Sequence, residues 1–233
     1  MIPWLGDEPV FPPVEQALPD PNGLLTAGGS LTPTWLLAAY RQGIFPWYSE
    51  GEPILWWSPD PRLVLIPSQV KVSRSLRKTL RSQRFEIRFD TAFEQVVVAC
   101  AQPRAPIVGT WITPEMQRAY SRMHELGYAH SVEAWSDGKL VGGLYGIALG
   151  RAFFGESMFS LKSDASKACL VHLARYLDSR DFGVIDCQMT TRHLLSMGAA
   201  EMSRQTFCTR LARLVDEGDA PGLWSGVLDT GNF

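Results

Sequence analysis

No stretch of this chain comes near the ~20 consecutive apolar residues that a membrane-spanning helix needs. Its 233 residues hold only four cysteines and four histidines. Cys100, Cys169, Cys187 and Cys208 are widely spaced with no CxxC pair, which argues against a disulfide framework and for reduced thiols. His124, His130, His172 and His193 show no paired ligand spacing. His124-Glu125 begins like a zinc-protease signature, but the residue four beyond His124 is Tyr128, so no metal is expected. A P-loop lysine, a G-x-S-x-G elbow and a dinucleotide fingerprint are also missing. Charge is balanced as well: 22 basic against 24 acidic residues, a net charge of −2, excludes a generally polybasic chain. The opening MIPWLGDEPVFPPVEQALPDP has no basic segment followed by an apolar one, so no secretory signal is expected. The expectation is a soluble, cytoplasmic monomer with no membrane partner and no cofactor.

What is present is apolar and aromatic. Apolar residues make up 45% of the chain and charged residues 20%, enough to bury a sizeable core. Eight tryptophans are a heavy load, and Trp4, Trp35, Trp47, Trp56 and Trp57 all lie in the first sixty residues. An indole can fill a core or stack on a nucleobase, and composition does not choose between them.

The first thirty residues are rich in Pro and Gly, and PNGLLTAGG reads as turns. Thr32-Pro33 supplies an N-cap and first helical position for a helix through Gln42, closed by Gly43. Residues 44–61 hold four prolines and read as loop with short extended pieces. A small N-terminal domain over 1–62 is expected, followed by a larger one over 63–233. Arg62–Ile66, at the junction, reads as a strand. Beyond it Ser73 caps a helix through Ser82, Phe85–Phe89 alternates as a strand, and Thr91 caps a helix through Ala101. Thr113-Pro114 opens a helix that Gly127 closes. Strands follow at Ala129–Trp135, Lys139–Leu149 and Arg151–Phe159, with turns at Ser136-Asp137-Gly138 and Gly150. A long helix over Asp164–Asp178, a buried strand over Gly183–Gln188 and short helices at 191–197 and 204–216 complete the chain. That order points to a mixed sheet, α+β or mixed α/β in class.

Two features carry chemistry. Glu156 in FFGESMFS and Asp186 in VIDCQ are carboxylates inside apolar strands, costly unless paired or used. Each is either a satisfied salt bridge, to a residue such as Lys167 or Arg192, or part of a site for a cationic ligand or for proton transfer. Lys71, Arg74, Arg77, Lys78, Arg81, Arg84 and Arg88 face a single acid, Glu86, so residues 71–88 carry +6 while the rest of the chain sums to −8. Arg74, Arg77, Lys78 and Arg81 recur at three- and four-residue steps and share a helix face. That face is either solvated or a contact for a phosphate backbone.

Taken together the motifs resemble the bacterial leucyl/phenylalanyl-tRNA–protein transferases. The matching stretches are PNGLLTAGG, GIFPW, ILWWSPDPR, GTWIT, HELG, HSVEAW, VGGLYG, FFGESMFS, ASK, IDCQ and SMGA, in order over about residues 21 to 200. The resemblance implies a small N-terminal domain and a C-terminal domain of the acetyltransferase-like (GNAT) fold. It implies transfer of Leu or Phe, less well Met, from aminoacyl-tRNA to proteins that begin with Arg or Lys, marking them for N-degron proteolysis. By the same resemblance Trp47 and Trp111 hold the terminal adenosine, and Leu144, Phe153, Leu170, Leu173 and Ile185 line the donor side-chain pocket. Glu156, Asp186 and Gln188 face the acceptor amine, and Arg74, Arg77, Lys78 and Arg81 track the tRNA backbone. Leu173 departs from members with an aromatic residue there, which leaves the pocket's width open. Nothing in the resemblance covers the first ~12 residues or the tail beyond ~216.

Two other readings compete. An acetyl-CoA-dependent N-acetyltransferase on the same fold needs a Gly-rich pyrophosphate loop, and the connection here, SLKSDASK, contains no glycine. A non-catalytic RNA-binding module accounts for the basic helix and the tryptophans but leaves Glu156 and Asp186 without a purpose.

Overall fold

The structure is a computed structural model that describes residues 2–102, 111–218 and 220–224. Among them no helix is long and apolar enough to cross a membrane. A four-stranded sheet comes first, from β1 (Trp4–Leu5), β2 (Leu24–Gly28), β3 (Phe45–Pro46) and β4 (Leu55–Trp57), in the order β1-β2-β4-β3. Helix α1 (Pro33–Arg41) lies between β2 and β3. The PNGLLTAGG stretch is therefore not all turn. Its Leu-Leu-Thr-Ala-Gly core is β2, held from both sides by β1 and β4, with the Thr26 hydroxyl donating to the Pro3 carbonyl.

The second sheet has seven strands: β5 (Arg62–Leu65), β6 (Glu86–Phe89), β7 (Ala129–Ser136), β8 (Lys139–Leu149), β9 (Ala152–Ser160), β10 (Val184–Gln188) and β11 (Ala200–Met202). Their order is β11-β5-β10-β9-β8-β7-β6. Among the described residues only β9 and β10 run parallel within this sheet, so the class is mixed α/β with a mixed sheet. The crossover between that pair is α5 (Ala165–Asp178), with α2 (Arg74–Arg81), α3 (Phe93–Cys100), α4 (Pro114–Glu125), α6 (Arg192–Ser196) and α7 (Arg204–Leu214) around the sheet. The β7–β8 hairpin turns on Asp137-Gly138, both at positive φ (53° and 70°), the geometry a two-residue turn requires.

Most helix starts follow local chemistry. The Ser73 and Thr113 side chains accept the N–H groups of Leu76 and Met116, and Thr191 and Ser203 cap α6 and α7 in the same way. Thr91 does not cap α3. The helix starts after Ala92, and the buried Glu133 carboxylate from β7 receives the Thr91 hydroxyl at 2.7 Å and the backbone N–H groups of Thr91 and Ala92. Strand β11 is not legible in the sequence, because three residues between two helices show no alternation to detect.

Alternating residues of the large sheet feed two cores. Val64, Tyr145, Ile147, Phe154 and Val184 face one cluster, which also contains Trp35, Tyr40, Trp56 and Tyr120. Leu63, Leu65, Leu144, Phe153 and Ile185 face another, covered by α2 and α5. Trp224 also packs against this second core: its backbone N–H donates to the Asp90 carboxylate at 2.7 Å and its ring stacks on His130 at 3.7 Å. Gly146 sits where the β8–β9 register slips; a Cβ there would lie 2.2 Å from the Phe154 carbonyl oxygen. Gly146→Ala is therefore expected to destabilise the fold by at least about 1–3 kcal/mol, read as a lower urea midpoint at unchanged slope.

Candidate active site

Two bulges build the site. Strand β10 pairs with β9 in register through Ile185↔Phe153 and Asp186↔Phe154, and both strands then lose regularity. On β9, Gly155 and Ser157 pair with the adjacent residues Gly146 and Tyr145, leaving Glu156 as an extra residue. On β10, Asp186 and Gln188 pair with Val64 and Leu63, leaving Cys187 extra, and Gln188 takes φ of +61°. A non-glycine residue in that region is strained, and bulges re-aim side chains. Here they turn Glu156, Asp186 and Gln188 toward one another.

Asp186 is fully buried, and so is its partner, Arg62, at the start of β5. The pairing is bidentate: Arg62 Nε donates to Oδ1 at 2.8 Å and Nη2 to Oδ2 at 2.6 Å. The guanidinium also lies over two aromatic rings, 4.9 Å from that of Phe45 in β3 and 4.7 Å from that of Phe207 in α7. Asp186 Oδ1 further accepts the backbone N–H of Gln188 at 2.9 Å. Lys167 bonds Asp164 instead, so the expectation of Lys167 or Arg192 as partner is corrected to Arg62.

Glu156 has no such cation. Its Oε1 stands 2.7 Å from the Tyr40 hydroxyl and 3.0 Å from Gln188 Nε2, and its Oε2 stands 2.7 Å from the Tyr120 hydroxyl. The two hydroxyls are 2.6 Å apart. Burial pushes the Glu156 carboxyl up to about 7, against the Tyr120 and Tyr40 hydrogen bonds that pull it down, and the charge of Asp186 adds to the rise. Burial likewise lifts both tyrosines well above their ordinary value, so they stay protonated.

The other predicted residues fall into three groups. Leu144, Phe153, Leu170, Leu173 and Ile185 all lie in the apolar cluster on the opposite face of the sheet from Tyr40 and Tyr120, each no more than 3% exposed. Trp47 and Trp111 are half-buried against the first core. The Trp47 ring meets Trp57 edge-on at 5.3 Å, and next to it the Tyr48 hydroxyl donates to Glu115 in the first turn of α4. Gly109 and Thr110 of the GTWIT stretch lie outside the described residues. Arg74, Arg77, Lys78 and Arg81 are exposed along α2, while Leu76 and Leu80 seat that helix in the second core. Among the described residues no group of His, Cys, Asp and Glu is placed to hold a metal ion.

Sequence reasoning missed Arg62, Tyr40 and Tyr120. A signal existed for Arg62, a cation heading an otherwise apolar strand, Arg-Leu-Val-Leu. Tyr40 and Tyr120 lie on the apolar faces of α1 and α4, where nothing separates them from core tyrosines.

Comparison with known proteins matches residues 64–212 to the family described as leucyl/phenylalanyl-tRNA protein transferase, and residues 29–60 to the N-terminal domain of the same transferase. The leucyl/phenylalanyl-tRNA–protein transferase of Azoarcus sp. (strain BH72) is 73% identical, over 97% of each chain. That of Chromobacterium violaceum is 58% identical over 96% of each. Solved structures are more distant. L-PGS from Bacillus licheniformis has a TM-score of 0.44 at 9% identity, covering 82% of this chain and 73% of its own. A GCN5-related N-acetyltransferase from Kribbella flavida has a TM-score of 0.35 at 10% identity, covering 73% and 61%.

Two outcomes follow from the buried charges. Arg62→Met leaves Asp186 buried and unpaired, a loss of about 3–5 kcal/mol, whereas removing both charges with Arg62→Met and Asp186→Leu recovers most of it; denaturant titrations of the single and double variants check this. Glu156 binds its proton more tightly in the folded protein (about 7) than at its ordinary value of 4.5, so its contribution to stability is present below pH ~4.5 and is lost as pH rises toward 7. Glu156→Gln should remove that loss, and the melting temperature of the variant should gain on the wild type between pH 5 and pH 8.

Proposed function

The chain belongs to the leucyl/phenylalanyl-tRNA–protein transferase family, and from that premise we propose that it moves Leu or Phe, less well Met, from aminoacyl-tRNA to the N-terminal amine of proteins that begin with Arg or Lys. The product would carry a destabilising N-terminus for proteolysis. The observation that carries this reading is the cluster of Glu156, Gln188 and Asp186 around two strand bulges, an acidic, hydrogen-bonding site at the split between β9 and β10.

The chemistry asked of these residues is modest. An α-amine has an unperturbed pKa of about 7.7–8.0, so part of it is already neutral near pH 7. Its nitrogen attacks the carbonyl carbon of the aminoacyl ester and the new C–N bond forms. The ester C–O bond breaks, and the amine's surplus proton ends on the departing ribose oxygen. Holding amine and ester together supplies much of the acceleration. Gln188 is suited to the amine: its Nε2 is committed to Glu156, so its amide oxygen is the end left to accept an N–H. Asp186, locked by Arg62 and by the Gln188 backbone, acts as the positioning group for Gln188 rather than as the base.

The donor sits across the sheet in the same reading. Leu144, Phe153, Leu170, Leu173 and Ile185 would enclose its side chain, and Trp47 and Trp111 would stack on its terminal adenosine. Arg74, Arg77, Lys78 and Arg81 would run along the tRNA phosphates, with residues 1–62 as a small N-terminal domain and the remainder as a GNAT-like catalytic domain. The protein would work as a cytoplasmic monomer without a cofactor.

Incubation with radiolabelled Leu-tRNA and a Lys-initiated peptide tests the function; label that stays out of the peptide refutes it, and label from acetyl-CoA would establish the acetyltransferase instead. Phosphate contacts bind without reading sequence, so Arg77→Ala with Lys78→Ala should weaken Leu-tRNA and Phe-tRNA alike. Removing one phosphate-binding cation should flatten the slope of log affinity against log salt by ~0.7–0.9. Transfer from an aminoacyl-adenosine, which lacks the distant phosphates, should hardly change; an equal loss there would place the two residues in structural support.

A further inference from the structure

We propose that Glu156 rests as a neutral carboxylic acid whose proton closes a hydrogen-bond ring with Tyr40 and Tyr120, and that this proton leaves when the cationic N-terminal residue of an acceptor docks beside Gln188. The docking half of the proposal rests on the transferase reading above; the resting state stands without it.

A count of hydrogens separates the two protonation states. Three oxygen pairs are in contact: Tyr40 with Glu156 Oε1 at 2.7 Å, Tyr120 with Oε2 at 2.7 Å, and Tyr40 with Tyr120 at 2.6 Å. Each needs one hydrogen, and a phenol brings only one. With an ionised carboxylate both phenols donate to it, and two hydroxyl oxygens are left at 2.6 Å with lone pairs facing. With the acid form the ring closes in one direction. The carboxyl O–H donates to Tyr120, Tyr120 donates to Tyr40, and Tyr40 donates to Oε1, which also accepts Gln188 Nε2.

The surroundings favour the same state. The groups packed against the carboxyl are Tyr40 from α1, Tyr120 from α4, Tyr145 from β8, and Asp186 with Gln188 from β10. The negative charge among them, Asp186, repels a second one, and the cation of the cluster, Arg62, is bound to Asp186 through both oxygens. Burial acts in the same direction.

An arriving guanidinium or ammonium reverses that balance. A cation beside a carboxyl favours the ionised form, so binding releases a proton: Glu156–COOH and the cation give a carboxylate–cation pair, and one proton passes to the solvent. Tyr40 and Tyr120 are thus positioning residues. They hold the acid's proton within the closed ring, while burial and the charge of Asp186 keep the carboxyl neutral, until an acceptor of the right charge arrives.

Infrared spectroscopy reads the acid form directly through its carbonyl stretch. Ordinary carboxyls are ionised by pH 6, so the wild-type protein should show a carboxylic band there that disappears by pH 8.5. The band should also vanish at pH 6 when a short Arg-initiated peptide is added. Glu133 is also pushed upward by burial, and the peptide arm separates the two because Glu133 caps α3. In Glu156→Gln the amide N–H replaces the acid O–H, so the ring keeps its three hydrogens while the peptide-sensitive band is lost. Calorimetry at pH 6 in two buffers of different ionisation enthalpy should show nearly one proton more released on peptide binding by the wild type than by this variant. No peptide-sensitive band, or equal proton release, overturns the proposal; if the variant does not fold, the wild-type band alone decides. Leu transfer to the same peptide is assayed in parallel. Transfer with no carboxylic band at pH 6 refutes the neutral acid alone, a band that the peptide leaves unchanged refutes the docking step, and a peptide-sensitive band without transfer refutes the transferase reading.

Discussion

The ion pair between Arg62 and Asp186 is the interaction on which the arrangement of this protein turns. A carboxylate with no exposure costs several kcal/mol unless its charge is met, and Arg62 meets it with two parallel hydrogen bonds. The guanidinium then carries the consequence outward. Phe45 belongs to the four-stranded sheet and Phe207 to α7, so one cation ties together the N-terminal layer, the large sheet and α7. Asp186 in turn receives the N–H of Gln188, a residue at positive φ that needs such a tether to stay there.

The bulges solve a problem that a regular sheet cannot. Alternation alone would leave Glu156 and Asp186 spaced along the pleat of two parallel strands rather than gathered. One extra residue in each strand re-aims them and opens the ladder where β9 and β10 part. The ends of neighbouring parallel strands are also where ligands of mixed sheets gather. Strain at Gln188 and an uncompensated carboxyl at Glu156 both occur at this split, while the strands before it pair regularly.

Much of this could be read from the residues. Thr113-Pro114, Ser73 and Asp137-Gly138 carry their structural instructions locally, and the structure uses each of them as a cap or turn. Glu156 and Asp186 stood out because a carboxylate in an apolar strand demands an explanation. Their partners did not stand out. Arg62 is 124 positions from Asp186, and Tyr40 is 116 from Glu156, and no local pattern reports a contact that far along the chain. The cap of α3 failed to show for the same reason: Thr91 is a fitting cap by type, but a carboxylate 42 residues away takes the N–H groups. Strand β2 was hidden by its glycines, which mark its end rather than its absence.

The sheet separates two tasks that the proposed reaction must keep apart. Glu156 and Gln188, proposed for the amine, lie on one face with Tyr40 and Tyr120, and the apolar side chains proposed for a Leu or Phe donor lie on the other with α5. Phe153 and Phe154 are neighbours in sequence yet serve opposite faces, and so do Ile185 and Asp186. An apolar pocket discriminates by about 1–3 kcal/mol per methylene and tolerates shapes of similar width, whereas a buried polar site rejects a partner that leaves its groups unpaired. Under the proposed assignment, dividing them would let the donor side accept more than one unbranched side chain while the acceptor side stayed strict about charge. The ladder between β9 and β10 ends at Asp186 and Phe154, and in the proposed reaction carbonyl and amine would be brought together at that split without either binding surface being reshaped to fit the other.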